Sequence, residues 1–90
     1  MKRVELIATG RVQGVWFRYE TQKAALEIGV KGIVENTVDG AVHVLAEGEE
    51  GQLDKLIEYC KHGPPLARVE NVRISWSEPT GEFSGFTIRH

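Results

Sequence analysis

Gly32-Ile33-Val34-Glu35-Asn36-Thr37-Val38-Asp39-Gly40-Ala41-Val42-His43-Val44-Leu45-Ala46-Glu47 contains two short β-prone runs, residues 32 to 37 and 41 to 47, joined through Val38, Asp39 and Gly40. Asp-Gly between two such runs is a strong hairpin signal, because the favoured tight turn needs backbone conformations that these residues adopt most readily. A hairpin at this place divides the chain into two halves. Each half carries one further strand pattern and one helix pattern.

Upstream, residues 3 to 9 alternate, with Val4, Leu6 and Ala8 on one face and Glu5, Ile7 and Thr9 on the other, which predicts a half-buried strand. The glycine-containing stretch Gly10 to Gly14 ends it. From about Arg18, Thr21, Ala24, Ala25 and Ile28 recur at the spacing of one helical stripe, with Leu26 off it, and Gly29 suits a left-handed closure. Downstream, Leu53, Leu56, Ile57 and Cys60 make the same stripe, and Gly63, Pro64 and Pro65 stop that helix. Val72, Ile74 and Trp76 alternate with Arg73, Ser75 and Ser77 as a fourth strand, which places Trp76 in core packing, and Phe86 and Ile88 predict a short fifth. The order matches an α+β, ferredoxin-like (βαββαβ) arrangement, an antiparallel sheet with two helices on one face and a short extra C-terminal strand.

Ninety residues with 41% hydrophobic and 27% charged content leave room for one domain, residues 1 to 90. Eleven Lys and Arg against thirteen Asp and Glu give a formal charge of −2, which argues against a nucleic-acid partner, since that needs a basic surface. Cys60 is the single cysteine, so no internal disulfide forms, and a reducing cytoplasm is the expected compartment. On the apolar stripe it reads as a small hydrophobe. His43, His62 and His90 lack metal-ligand spacing, so neither a metal nor another cofactor is expected. No apolar run is long enough for a signal peptide or a membrane span, and a monomer is the default.

The chemistry-bearing stretch is Gly10-Arg11-Val12-Gln13-Gly14-Val15-Trp16-Phe17-Arg18, a loop feeding a helix N-terminus. Backbone N–H groups there are unpaired, the helix dipole adds partial positive charge, and a following arginine offers a planar charged fork, so the place suits an anion. Taken on these residues alone, the alternatives are an ordinary turn and a solvated arginine. Trp16 either lines the mouth of such a site or covers the core edge, and both readings stand.

GRVQGVWFR resembles the signature loop of the acylphosphatases. A second stretch, Gly32-Ile33-Val34-Glu35-Asn36 followed by Asp39-Gly40-Ala41-Val42 and Gly48, is similar to that family's second signature. The resemblance implies hydrolysis of acyl phosphates, the mixed anhydrides of carboxylic and phosphoric acids, to carboxylate and inorganic phosphate. It implies that the amides of Gln13, Gly14, Val15, Trp16, Phe17 and Arg18 hold the phosphoryl oxygens. Arg18 would be the charged anchor and Asn36 would position the attacking water, with no metal, cofactor or covalent intermediate. Inorganic phosphate would be both product and competitive inhibitor. Ile33 stands where the family usually has an aromatic and Glu35 where a basic or neutral residue is common; strand alternation predicts that Glu35 faces away from the site. His43 occupies a position where the family often has a carboxylate. Rival readings are a single-stranded RNA module, whose signature aromatic run is absent, and a domain that binds an acyl or carbamoyl phosphate inside a larger maturation protein.

Overall fold

The computed structural model describes Met1–His90. Its elements are β1 (Lys2–Arg11), α1 (Phe17–Ile28), β2 (Lys31–Asn36), β3 (Val42–Gly48), α2 (Glu50–His62), β4 (Arg68–Ser77) and β5 (Phe86–Arg89). The alternation in β1 does what it predicts: Val4, Leu6 and Ala8 are buried, and they pair with Ala46, Val44 and Val42 of β3. Both helices lay their small and branched residues on this face. Thr21 and Ala25 of α1, and Leu53, Leu56, Ile57 and Cys60 of α2, are buried. Leu26 points to solvent, which explains its place off the stripe. Gly29 closes α1 in a left-handed conformation and donates its N–H to the Ala25 carbonyl. At the start of α2, Glu49 and Gln52 bond reciprocally to each other's backbone N–H groups, a capping box that occupies orphan donors of the first turn.

The five strands lie in the order β4-β1-β3-β2-β5. Pairs β1/β3, β1/β4 and β2/β3 are antiparallel, whereas β2/β5 is parallel, with Val34 opposite Ile88 and Glu35 opposite Arg89. The expected antiparallel sheet is therefore mixed at one edge. The reason lies in the connection from β4 to β5, which crosses from one edge of the sheet to the other. Residues after Ser77 pass the starting end of β1 and bond to Glu47 of β3 through the N–H groups of Thr80 and Gly81, and the Gly85 carbonyl accepts from the Gly32 N–H. Arg3 bonds Glu47 and Glu82 and lies over the Phe83 ring. Having crossed at that end, the chain can only run back alongside β2 in the same direction. As a result the C-terminal ends of β1, β2 and β5 all reach the opposite end of the sheet together.

Trp76 departs from its expected core position. Its strand places it on the helix-covered face opposite Val4, but β4 is the edge strand and the ring is 44% exposed. Alternation specifies a face, not how far the covering helices extend over it. No helix is long and apolar enough to cross a membrane.

Candidate active site

The loop between β1 and α1 sits where those three strand ends converge. Its side chains alternate in and out. Val12, Val15 and Phe17 are buried and anchor the loop to the core, while Gly14 and Trp16 face outward. The Gln13 amide donates to the carbonyls of Thr37 and Ala41, each at 2.8 Å, so this side chain straps the loop to the β2–β3 turn. That turn is itself closed by the Thr37 N–H to the Ala41 carbonyl and by the Ala41 N–H to the Thr37 hydroxyl. The Thr37 hydroxyl also bonds the Asp39 carboxylate, which holds that carboxyl below its usual range. The strap and the turn together fix the end of β2, and with it Asn36.

Backbone conformation turns the loop's amides outward. Gly14 has φ 74° and Trp16, the residue preceding α1, has φ 69°. A Cβ on Gly14 would meet nothing, so glycine is required there by its conformation rather than by crowding. Trp16 adopts the left-handed region without that freedom, a strain of the kind that collects at functional sites. Among the backbone bonds outside the helices and strands, none is donated by the N–H groups of Gln13, Gly14, Val15 or Trp16. Phe17 and Arg18 open α1, so their N–H groups have no carbonyl four residues back within the helix. Successive free N–H groups at a positive helix end make an anion-binding concavity.

These groups border a pocket of about 310 Å³ lined by Val12, Gly14, Trp16, Phe17, Arg18, Tyr19, Asn36, Ile88 and His90. Arg18 and Asn36, eighteen positions apart in sequence, thus meet in one cavity with the loop. The Asn36 Oδ1 is buried without a protein hydrogen-bond partner. Trp16 is 71% exposed, and of the two readings of its place it takes the pocket mouth. Tyr19 and Ile88 join it in an apolar wall. Glu35 points to the other sheet face, where its carboxylate lies 2.8 Å from His43 Nδ1 and 3.8 Å from Arg89. The second ring nitrogen of His43 lies 2.8 Å from Glu5, so this histidine bridges two carboxylates away from the pocket.

Cys60 does not enter the site. It is fully buried between the helices, and burial pushes its thiol up to about 12, which leaves no thiolate for nucleophilic work. Besides Tyr19 and Ile88, the pocket residue that sequence reading passed over is His90. Its Nδ1 lies 3.3 Å from the Arg18 Nη1, and the only signal that could have found it was the direction of β5.

The family model for acylphosphatase matches residues 4–88. The chain belongs to the acylphosphatase family. An acylphosphatase of Pelotomaculum thermopropionicum is 46% identical over 86 residues, spanning 96% of this chain and 94% of the relative. The crystal structure of acylphosphatase from Bacillus subtilis superposes with a TM-score of 0.96 at 37% identity, covering all of both chains. The structure of T. kodakarensis HypF matches with a TM-score of 0.85 at 30% identity, the chain spanning 12% of that longer protein. Membership makes the chain an acid-anhydride hydrolase of acyl phosphates.

Proposed function

We propose that the chain hydrolyses acyl phosphates by direct attack of a positioned water on phosphorus, with Arg18 and Asn36 as catalytic residues. The observation that carries this reading is the convergence, on one pocket, of the unpaired loop amides, a guanidinium and an unbonded side-chain amide. The amides from Gln13 to Arg18 receive the nonbridging phosphoryl oxygens, and Arg18 adds a paired donor with permanent charge. Asn36 is no base, but it can accept a hydrogen bond from water or donate one to it, which sets the line of attack.

The water oxygen forms a bond to phosphorus while the bond from phosphorus to the acyl oxygen breaks. The electron pair leaves on the carboxylate, and the water proton passes to the phosphate product or to solvent. A carboxylic acid has a pKa of about 4, so the leaving group departs without a general acid. What remains for the protein is to position water and to stabilise charge on the equatorial oxygens, which preorganised amides and one arginine do. The apolar wall of Trp16, Tyr19 and Ile88 receives the acyl group.

The proposal includes a metal-independent reaction, competitive inhibition by inorganic phosphate, a monomer of one domain over residues 1–90, and a cytoplasmic setting without nucleic-acid or membrane partners. The test is release of phosphate from benzoyl phosphate by purified protein, with and without chelator. Equal rates in both are expected. Absence of phosphate release, or activity wholly dependent on added metal, would overturn it.

A further inference from the structure

The parallel register of β5 on β2 pairs Glu35 with Arg89 on one sheet face, so the next position, His90, falls beside Asn36 on the pocket face. From there its Nδ1 reaches to 3.3 Å from the Arg18 Nη1. Arginine has donors only, so the guanidinium N–H donates and Nδ1 must carry a lone pair, which places the imidazole proton on Nε2. Resting on the role of Arg18 proposed above, we propose that His90 is a positioning residue: through its Nδ1 lone pair it holds the Arg18 guanidinium in the phosphate pocket.

The physical basis is a single guanidinium on a flexible stem at the edge of an open pocket. A neutral acceptor removes one of its five N–H groups from competition and leaves the others for phosphate, at no cost in opposing charge. A carboxylate in the same place would hold Arg18 more tightly but would repel the phosphate. The titratable groups facing His90 across the pocket are Arg18 and Tyr19 of α1; the loop contributes none, and β2 contributes neutral Asn36. Glu35 and Arg89 are on the far side of the sheet, paired with each other.

The test compares His90→Ala and His90→Asn with wild type, using benzoyl phosphate as substrate and inorganic phosphate as inhibitor. Asparagine puts an acceptor oxygen near the place of Nδ1. His90→Ala should raise KM and the phosphate inhibition constant about threefold to tenfold, the worth of one hydrogen bond, with kcat little changed. His90→Asn should restore both to within about twofold at neutral pH. Wild-type KM in His90→Ala, or no recovery of KM and of the phosphate inhibition constant in His90→Asn, would overturn the inference. Failure of the underlying reading shows separately, as wild-type phosphate affinity in Arg18→Ala.

Discussion

Arg18 and Trp16 sit two positions apart and serve the site in different ways. In the proposed reaction Arg18 supplies a fork that matches two phosphoryl oxygens, and loss of one such preorganised contact costs about 3 to 4 kcal/mol in the transition state. Arg18→Ala should therefore lower kcat/KM for benzoyl phosphate by at least a hundredfold, and Arg18→Lys should recover little of it, because a point charge lacks the fork. Steady-state kinetics check both, and near wild-type turnover in the lysine variant would contradict the bidentate role. Trp16 holds a left-handed backbone that costs a bulky L-residue about 1 to 2 kcal/mol, whereas glycine adopts it freely at a cost of about 0.5 to 1 kcal/mol in unfolded-chain entropy. Little of the indole is buried, so Trp16→Gly should leave unfolding free energy within about 1 kcal/mol of wild type, as read by denaturant titration. The same variant should raise KM for benzoyl phosphate more than for acetyl phosphate. Equal changes for both substrates would remove Trp16 from the acyl wall.

Among the elements, the loop is held in place by its neighbours. Gln13 makes two hydrogen bonds to carbonyls 24 and 28 residues away, and these join the anion cradle to the turn that ends β2. Gln13→Ala should cost about 1 to 3 kcal/mol in stability, from two bonds at the usual worth of each, and should raise KM with the fold intact. Unfolding curves and kinetics read this together; loss of stability without any change in KM would separate the strap from the site. How much of this was legible beforehand differs by residue. The loop's residues alone left an anion site and an ordinary turn both open, and the roles of Arg18 and Asn36 came only with the resemblance to the two family signatures; the structure brings both side chains to one pocket. The Gln13 strap was not legible, since nothing in the spacing says which carbonyls a glutamine will meet. His90 was hidden for a similar reason: the four residues of β5 carry no mark of their direction, which depends on how residues 78 to 85 cross the sheet. Trp76 shows the converse limit, a correct face whose exposure is decided by the edge position of its strand.

At the scale of the whole molecule, the crossing that brings β5 to the site depends on Glu47, a carboxylate buried at the far end of the sheet. Burial pushes its carboxyl up, but the N–H groups of Thr80 and Gly81, the Thr80 hydroxyl and Arg3 together hold it below the usual value of 4.5. A carboxyl depressed in the folded state contributes stability above its unfolded pKa and loses it as pH falls through the folded one. Acid destabilisation from Glu47 should therefore begin near pH 4.5 and grow below it. Glu47→Gln should be less stable at neutral pH by about 1.5 to 3 kcal/mol, the worth of hydrogen bonds to a charged group, and should lose less stability between neutral and acid pH than wild type does. Thermal unfolding across that range checks it, and parallel curves would contradict it. The molecule as a whole carries a formal charge of −2, so in the proposed site attraction of an anionic substrate falls to the local field of the loop and Arg18, at the one end of the sheet where three strands finish. The claim that this end performs direct hydrolysis at phosphorus is tested most directly by turning over benzoyl phosphate in heavy-oxygen water with chelator present and locating the label. The account predicts label in inorganic phosphate and none in benzoate, at a rate that falls in Asn36→Ala; label in benzoate would show attack at the acyl carbon and contradict it.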